Sequence, residues 1–254
     1  MNPFDLTGKV AIVTGSSLGI GRSIAEHMAR AGASVVISSR KEKPCQEVAD
    51  SINKAGGKAI AVTANVGKIG DLENLVAETT RQLGPVDSLV CNAAANPYYG
   101  PLTEITDEAY HKTLDTNILS NIRLFGMVAE GMAAKGGGSL ILVSSVGAVK
   151  AVPNLGAYAI SKAADLQLVR TLAAEWGEKK ITVNAILPGL VKTEFARVLW
   201  DNPEAADKAS NRLPLRRLGE SDDIGPAAVF LASRAGEWMT GQSIIIDGGS
   251  LLLH

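Results

Sequence analysis

Tyr158 and Lys162 are the two side chains whose types and spacing could transfer a proton. They lie four residues apart in a segment with a helical pattern, so they share one helix face. An ammonium beside a phenol stabilises the phenolate, which lets the pair give a proton to a carbonyl oxygen or take one from an alcohol. Ser145, thirteen residues before the tyrosine, closes a strand-like segment and could polarise the same carbonyl. A tyrosine and a lysine at this spacing are common on helix surfaces, so this interpretation depends on the motifs around them.

A glycine-rich segment after the first predicted strand has the composition of a phosphate-binding turn. Its glycines are spaced G-x3-G-x-G, at the point where the first predicted helix begins. Glycines let the backbone approach a pyrophosphate, and the helix N-terminus offers free N–H groups to it. The segment therefore predicts a dinucleotide site, with an ordinary turn as the alternative. The residues expected to contact the cofactor here are Gly15, Ser17, Leu18, Gly19, Ile20 and Gly21.

The tip of the second predicted strand indicates which dinucleotide is bound. Dinucleotide-binding folds often place an acid there for a free ribose 2′-hydroxyl, and a base nearby for a 2′-phosphate. The tip here is Ser38-Ser39-Arg40-Lys41, which contains no acid. Arg40 could bind a phosphate through two of its N–H groups, so the sequence favours NADP over NAD. The alternative is a solvated Arg40 and an NAD site.

The elements that must position these residues follow from the hydrophobic pattern. Short β-branched runs, predicted as strands, alternate with longer amphipathic segments, predicted as helices. That alternation predicts an α/β chain: one Rossmann-type domain over residues 1–254, with a doubly wound, seven-stranded parallel sheet and helices on both faces. The strands are predicted at residues 10–14, 34–38, 59–63, 88–91, 139–143, 181–186 and 243–246. The helices are predicted at residues 21–31, 44–55, 69–83, 107–135, 157–178 and 221–232.

Two segments depart from the regular alternation. The helical pattern of residues 107–135 is too long for one surface helix, so we expect it to curve or to break near Gly126. Residues 193–217 are rich in Asn, Pro and charged side chains and interrupt the strand–helix order. An insertion at the carboxyl end of a strand is a candidate substrate lid.

Composition and charge favour an enzyme over several other classes. The 25 basic and 26 acidic residues leave a net charge of −1, which gives no electrostatic support for a partner nucleic acid or an anionic membrane surface. The two cysteines and three histidines are widely spaced, so no metal site is expected. No long apolar run, leader segment or peroxisomal C-terminal tripeptide is evident. We therefore expect a cytoplasmic enzyme acting on a small molecule.

Together these motifs resemble the short-chain dehydrogenase/reductase family over nearly the full chain. One difference lies in the fourth-strand motif, where Cys91 and Ala94 replace the usual Asn and Gly. The resemblance implies hydride transfer between a nicotinamide dinucleotide and a ketone, aldehyde or alcohol. The segments that carry it are Thr14–Gly21, Asn92-Ala93-Ala94, Asn117, Ser145 with Tyr158 and Lys162, Pro188-Gly189 with Thr193, and Asp247-Gly248-Gly249.

The resemblance also implies a role for each matching residue. Tyr158 is the proposed general acid in reduction and base in oxidation, and Lys162 binds the nicotinamide ribose and stabilises the phenolate. Ser145 polarises the carbonyl, and Asn117 holds a water that links Lys162 to solvent. A homotetramer is expected, with helices 107–135 and 157–178 pairing across two-fold axes. Further cofactor contacts are implied for Asn65, Val66, Asn92, Ala93, Pro188, Gly189, Val191 and Thr193.

Within the family, the chain is most similar to NADPH-dependent carbonyl/retinal reductases of the peroxisomal type. Residues 36–41, 65–68, 92–100 and 188–200 carry this similarity, while the peroxisomal tail is missing. Two alternatives remain open: an NAD-dependent alcohol or diol dehydrogenase that uses the same site, and a nucleotide-binding protein without turnover.

Overall fold

The strands form one parallel sheet whose order reverses at its centre. The computed structural model describes residues 2–252, so Met1, Leu253 and His254 of the predicted domain lie outside the described residues. Within that range the strand order is β3-β2-β1-β4-β5-β6-β7, and every pairing is parallel. The strands are β1 Val10–Thr14, β2 Ser34–Ser38, β3 Lys58–Ala61, β4 Ser88–Cys91, β5 Gly138–Val143, β6 Ile181–Pro188 and β7 Ser243–Ile246.

Helices cover both faces of this sheet. One apolar cluster joins the sheet to α1, α2 and α8, and a second joins the opposite face to α3, α5 and α6. The predicted Rossmann-type, doubly wound architecture is therefore confirmed. The helices are α1 Gly19–Arg30, α2 Glu42–Lys54, α3 Ile69–Leu83, α4 Asp107–Leu114, α5 Ser120–Ala134, α6 Gly156–Trp176, α7 Pro203–Ser210 and α8 Gly225–Ala232.

The central strands are apolar on both sides because both sides are covered. On β1, Ala11 and Val13 pack into one cluster while Ile12 packs into the other. Ile12 is in register with Val36 on β2 and Leu89 on β4, so one apolar layer crosses the sheet. This explains why the strands appear in the sequence as continuous apolar runs.

The long predicted helix is interrupted, but the expected break near Gly126 is wrong. Gly126 lies inside α5, and the interruption is a π-helical turn at Asp115–Leu119. Two side chains donate hydrogen bonds to main-chain carbonyls of this turn. Ser120 Oγ donates to Thr116 O, and Asn121 Nδ2 donates to Asn117 O. Such side-chain bonds compete with the regular helical ladder, and a widened turn is one way to accommodate them.

Three other segments also differ from the predicted boundaries. β6 continues to Pro188, beyond the predicted end at residue 186, because β7 pairs with it as far as Ile246. The insertion at residues 193–217 contains α7, which Asn202 caps by accepting from Glu204 N and Ala205 N. In place of the predicted helix 221–232, a short 3₁₀ turn leads into α8.

A buried carboxylate ties together the amino-terminal edge of the sheet. Asp87, just before β4, accepts from Val10 N at 2.8 Å, from Lys135 Nζ at 2.6 Å and from Lys9 Nζ at 3.4 Å. Its side chain is almost fully buried, whereas both lysines reach solvent. Asp87 thus links β1, β4 and the end of α5 at the edge opposite the glycine-rich loop.

Replacing this carboxylate should therefore destabilise the sheet. Asp87→Asn removes the charge that holds both lysines, and hydrogen bonds to a charged group contribute about 2 kcal/mol. We expect the free energy of unfolding to fall by about that amount in urea titrations. An Asp87→Asn protein as stable as wild type would contradict this account of the edge.

Candidate active site

The loop between β1 and α1 is held in place by the end of β4. Gly15 and Gly19 have φ angles of +65° and +56°, a region that favours glycine. Asn92 Nδ2 donates to Thr14 O at 2.9 Å and to Gly15 O at 3.1 Å. A Cβ on Gly15 would lie only 2.8 Å from that same nitrogen. The loop therefore needs glycine here because Asn92 lies directly against it.

Two hydroxyl groups complete the support of this loop. Thr14 Oγ1 accepts from the main-chain N–H groups of Asn92 and Ala93, at 3.0 and 3.1 Å. Ser16 Oγ donates to Val13 O at 2.6 Å and accepts from Ser38 N at 2.9 Å. The glycine-rich loop is thus bonded to the carboxyl ends of both neighbouring strands. Sequence reasoning missed the role of Ser16.

The start of α1 fits a pyrophosphate. No side chain caps this helix at Leu18, and its first turn contains no acid. Its first N–H groups and its positive dipole end are therefore available to an anion. A Cβ on Gly19 would lie 3.1 Å from the side chain of Thr193, so two separately predicted cofactor residues meet here. The predicted loop positions Ser17 and Ile20 flank this turn.

The tip of β2 leaves a cation and a buried hydroxyl beside the same loop. Arg40 is exposed and makes no hydrogen bond or ion pair within residues 2–252. Ser38 Oγ is buried and also lacks a hydrogen-bond partner among the described residues. No carboxylate stands at this tip, so nothing there would repel a phosphate.

The loop after β3 uses its predicted residues locally. Asn65 Oδ1 accepts from Gly67 N at 3.1 Å, and Asp71 Oδ2 accepts from Asn65 N at 2.9 Å. These bonds fix the turn that leads into α3 and place Val66, partly buried, within it. The side-chain oxygen of Asn65 is already used for the turn, so its predicted contact with adenine stays a prediction.

The end of β6 forms the other side of the crevice. A Cβ on Gly189 would lie 2.7 Å from Asp247 Cα, and Gly189 N donates to Ile246 O at 2.9 Å. Glycine after Pro188 therefore lets the chain pass close to the segment after β7. Val191 then pairs with Gly219, which joins the two ends of the insertion.

The three side chains singled out for proton transfer lie where β5 meets α6. Ser145 follows β5, and its Oγ accepts from Gly147 N at 3.0 Å. Tyr158 is in the first turn of α6, partly buried, and its phenol oxygen has no hydrogen-bond partner among the described residues. Lys162 Nζ lies 5.8 Å from the centroid of the Tyr158 ring. The structure therefore confirms that tyrosine and lysine share one face of this helix.

Lys162 is buried and held by two acceptors. Its Nζ donates to Val143 O at 2.9 Å and to Asp165 Oδ2 at 3.1 Å. Burial alone favours the neutral amine, but the Asp165 carboxylate and Tyr158 outweigh it, so the pKa of Lys162 is raised. The side chain is thus a buried ammonium with one of its three N–H donors left for a ligand.

Asn117 lies in the π-helical turn and connects α6 to the loop after β4. Its Oδ1 accepts from Ala95 N at 2.7 Å, and its Nδ2 donates to Ala95 O and to Ser161 Oγ. Ser161 Oγ in turn donates to Tyr158 O at 2.7 Å. Asn117 therefore fixes the first turn of α6. Its predicted role in holding a water stays a prediction.

Sequence reasoning missed two residues next to this group. Asp165 is the buried partner of Lys162, one helical turn further along α6. The signal was present, because Asp165 occupies an inward-facing position of α6 that is otherwise largely apolar. Phe195 in the insertion has its ring centroid 5.8 Å from that of Tyr158. An exposed aromatic in a loop gave no sequence signal of that contact.

The insertion is anchored at both of its ends. Trp200 Nε1 donates to Thr193 O at 2.9 Å. At the other end Arg217 forms two bonds to the Asp223 carboxylate, at 2.6 and 2.7 Å. The Arg217 guanidinium lowers the pKa of Asp223 to about 2. The first bond lies within the insertion and orders its start, the second fixes its end to the turn before α8, and Phe195 lies beside Tyr158.

Comparison with known proteins agrees with this geometry. Residues 15–250 match the family model described as enoyl-(acyl carrier protein) reductase. The chain is 39% identical over 245 residues to dehydrogenase/reductase SDR family member 4 of Homo sapiens, covering 96% of this chain and 88% of that protein. The chain belongs to the short-chain dehydrogenase/reductase family. It is therefore an oxidoreductase by family.

Solved structures of this short-chain dehydrogenase/reductase fold are also similar. One is a 7α-hydroxysteroid dehydrogenase in complex with NADH and 7-oxo glycochenodeoxycholic acid, with a TM-score of 0.93, 37% identity and coverage of 97% and 96% of the two chains. Another is a gluconate 5-dehydrogenase from Burkholderia cenocepacia with NADP and tartrate, with a TM-score of 0.94, 31% identity and coverage of 100% and 99%. Relatives with this fold thus bind either dinucleotide.

No helix within residues 2–252 is long and apolar enough to cross a membrane. Over the same part of the chain, no group of three or more His, Cys, Asp or Glu side chains is arranged to hold a metal ion.

Proposed function

We propose that the chain is an NADP(H)-dependent carbonyl reductase, which interconverts a ketone or aldehyde and an alcohol. The observation that carries the proposal is the Tyr158 phenol, unpartnered within the described residues, beside the buried Lys162 ammonium. It lies at the same sheet edge as the uncapped start of α1. A proton donor and an anion site at one edge are what a dinucleotide-dependent carbonyl reductase requires.

Each residue of the group has a defined role in this mechanism. A bound nicotinamide dinucleotide supplies the hydride in reduction and accepts it in oxidation. Tyr158 gives its phenolic proton to the carbonyl oxygen as that oxygen gains charge, and takes it back in oxidation. The charge of Lys162 stabilises the phenolate that remains. The free N–H of Lys162 would donate to the ribose of that dinucleotide.

Ser145 and Asn117 support this proton transfer. The Ser145 hydroxyl donates to the substrate carbonyl and stabilises the developing negative charge there. It is held in place by its bond from Gly147 N. Asn117 fixes the first turn of α6 through Ala95 and Ser161, so a displaced Asn117 would move the phenol. We assign to it, in addition, a water that links Lys162 to bulk solvent.

The dinucleotide is bound along the carboxyl edge. The loop from Gly15 to Gly21, with Ser17, Leu18 and Ile20, binds the pyrophosphate, and Asn92 supports that loop. Arg40 binds the 2′-phosphate, which is the basis for NADP over NAD. The adenine side is assigned to Asn65, Val66 and Ala93, and the nicotinamide side to Pro188, Gly189, Val191 and Thr193.

Substrate selection is assigned to the segments around the phenol. Residues 193–217 act as a substrate lid, since Phe195 packs beside Tyr158. Residues 97–102 lie against the loop after β5, where Gly100 N donates to Asn154 O at 3.0 Å. The narrower similarity to peroxisomal-type carbonyl/retinal reductases stays a prediction, as does a cytoplasmic location.

Three alternatives define the assay. An NAD-dependent alcohol or diol dehydrogenase would use the same residues with the other dinucleotide. A nucleotide-binding protein without turnover would bind one or both dinucleotides and would neither oxidise nor reduce them. The family model's description adds reduction of a carbon–carbon double bond. Absorbance of the reduced nicotinamide, followed with both dinucleotides and with ketone, aldehyde, diol and enoyl thioester panels, separates all four cases.

Removing the phenol hydroxyl should abolish most of the turnover. Tyr158→Phe keeps the ring and its contact with Phe195 but removes the proton donor, and general acid catalysis contributes about 10²–10⁴-fold. We expect kcat to fall at least a hundredfold, with the dinucleotide Kd near wild type. Tyr110→Phe, in α4 and outside the site, makes the same change as a control.

Substitutions of the two residues that assist Tyr158 should affect kcat and dinucleotide binding differently. Lys162→Ala should weaken dinucleotide binding as well as kcat, because it removes the ribose donor together with the charge. Ser145→Ala should lower kcat and leave the dinucleotide Kd unchanged. Turnover of Tyr158→Phe at the wild-type rate would remove Tyr158 from the mechanism.

Reversing the charge at the β2 tip should reverse the cofactor preference. Arg40→Asp replaces the phosphate ligand by a repelling group, so NADPH should lose about 2 kcal/mol, or roughly thirtyfold in kcat/KM. NADH should improve or stay unchanged. Lys54→Asp, at the far end of α2, changes the net charge equally and should leave the ratio as it is. A wild-type enzyme that prefers NADH would overturn the assignment of Arg40.

Association into a homotetramer is the expected quaternary state. The helices proposed to pair across two-fold axes expose large apolar side chains, Ile122 on α5 and Ile160 on α6. Trp238 is fully exposed near the edge strand β7. Light scattering at micromolar concentration should give about four times the chain mass of 26.5 kDa. A mass equal to that of one chain would contradict the tetramer.

A further inference from the structure

Asp165 is a buried carboxylate for which the proposed mechanism has no task. It is fully buried on the inward face of α6, one turn after Lys162. Its Oδ2 accepts from Lys162 Nζ at 3.1 Å, while its Oδ1 is buried without a hydrogen-bond partner in the described part of the chain. A carboxylate is costly to bury unless it is paired. A well-packed apolar residue would stabilise the helix at least as well, so packing does not explain an acid here.

The environment of Lys162 supplies a reason. The titratable groups that face its Nζ within residues 2–252 are Asp165 and Tyr158 on α6 and Cys91 on β4. Burial raises the pKa of the Cys91 thiol, so this thiol stays neutral at physiological pH. The phenol of Tyr158 is neutral whenever it serves as the acid. Among the described residues, Asp165 is therefore the carboxyl group that can serve as counter-charge to this ammonium.

Without that anion the lysine would lose its charge. A fully buried lysine lacking a counter-charge has its pKa lowered by several units, into the range where it is neutral at pH 7. Burial also raises the pKa of Asp165, and the Lys162 ammonium opposes that rise. Each member of the pair thus favours the charged form of the other. The task assigned to Lys162 needs an ammonium, because a neutral amine neither stabilises a phenolate nor gives a charged donor to a ribose.

Asp165 also determines where the ammonium points. Val143 O and Asp165 Oδ2 take two of its three N–H groups. The three N–H bonds of an ammonium are tetrahedral, so fixing two of them fixes the direction of the third. Removal of Asp165 would leave the ammonium with Val143 O as its remaining acceptor among the described residues, and a second N–H would lose its partner.

We propose that Asp165 is a positioning residue, which keeps Lys162 charged and aims its free N–H out of the helix core. This inference rests on the proposed function, because it assigns Asp165 a task only through Lys162. A merely structural Asp165 would affect stability and leave the ionisation of Lys162 unchanged.

The direct test measures the charge of Lys162 without any turnover. Protein labelled with ¹⁵N at lysine Nζ is titrated by NMR, and Lys162→Arg identifies the resonance. We expect the wild-type signal to remain that of an ammonium up to at least about pH 10. In Asp165→Asn its titration midpoint should fall by several units, so that the signal is that of a neutral amine by about pH 8. An unchanged midpoint would overturn the proposal.

The kinetic test measures the direction in which the pH midpoint of kcat for oxidation moves in Asp165→Asn. Oxidation should rise with pH, since the phenolate is the base. Removing an anion near a phenol would by itself favour the phenolate and lower the pH midpoint of kcat. Neutralising the lysine has the opposite effect, so in Asp165→Asn we expect the midpoint to rise by about one unit or more. The Kd for the dinucleotide should also rise in Asp165→Asn. A lower or unchanged midpoint contradicts the proposal.

Asp87→Asn is the matched control. Asp87 is the buried carboxylate at the opposite edge of the sheet, also paired with lysine. The same substitution there should reduce stability and leave both the Lys162 titration and the pH midpoint of kcat at wild-type values. A comparable midpoint shift in the control would show that lost stability alone causes it, and would overturn the assignment.

Three further outcomes are distinguishable, and the last two separate the inference from the proposed function. Should Asp165→Asn not fold, the wild-type titration still decides, since burial without an effective counter-charge would make Lys162 neutral by pH 8. If Tyr158→Phe turned over normally, the proposed function would fail while the Lys162 titration remained a valid measurement. If Tyr158→Phe were inactive and Lys162 titrated identically in both proteins, only the inference on Asp165 would fail.

Discussion

The parallel arrangement of the strands is the constraint on which the site depends. Because all pairings are parallel, the carboxyl ends of the strands meet at one edge, and the order reverses between β1 and β4. The loops after these two strands leave toward opposite faces and open a crevice, the usual binding place in such sheets. The glycine-rich loop, Asn92, Ser145 and Gly189 all follow strand ends at this edge. The apolar layers on both faces of the sheet keep that edge rigid.

On this rigid edge, the chemistry depends on a charge placed in the interior. Lys162 could have reached solvent, as lysines usually do, but it is held within α6 by Val143 and Asp165. Burial increases the effect of its charge on the neighbouring phenol, because the surroundings are poorly polarisable. The same burial makes the charge unstable unless a partner is supplied. The acid and the ammonium on one helix face are therefore best understood as one unit.

Much of the fold could be predicted from the sequence because its signals are local. β1, β2, β4 and β7 have the predicted ends, since each is an apolar run bounded by turn residues. The break in helix 107–135 could not be placed, because the sequence pattern does not show that the Ser120 and Asn121 side chains turn back onto the carbonyls of Thr116 and Asn117. Gly126 was a reasonable candidate by composition alone, but a glycine inside a well-packed helix is tolerated.

The candidate site likewise combines features that local sequence signals predict with contacts that only the fold reveals. The Tyr158–Lys162 face follows from helical periodicity, and the glycine positions follow from the turn they occupy. Contacts between residues that are distant in sequence do not follow from the sequence pattern. They are Asn92 against Gly15, Phe195 against Tyr158, and Thr193 against Gly19. Asp165 lies between these cases, because its spacing from Lys162 was visible but its burial required the structure.

The measurement that tests the central claim most directly is the fate of the transferred hydrogen. NADPH deuterated at the reactive nicotinamide carbon is incubated with the enzyme and an α,β-unsaturated ketone, and the product is analysed by NMR. The account predicts deuterium on the carbon that bore the carbonyl group, with the hydroxyl hydrogen exchanged from solvent. Deuterium on a carbon of a former double bond, or no transfer to any carbonyl compound, would contradict it.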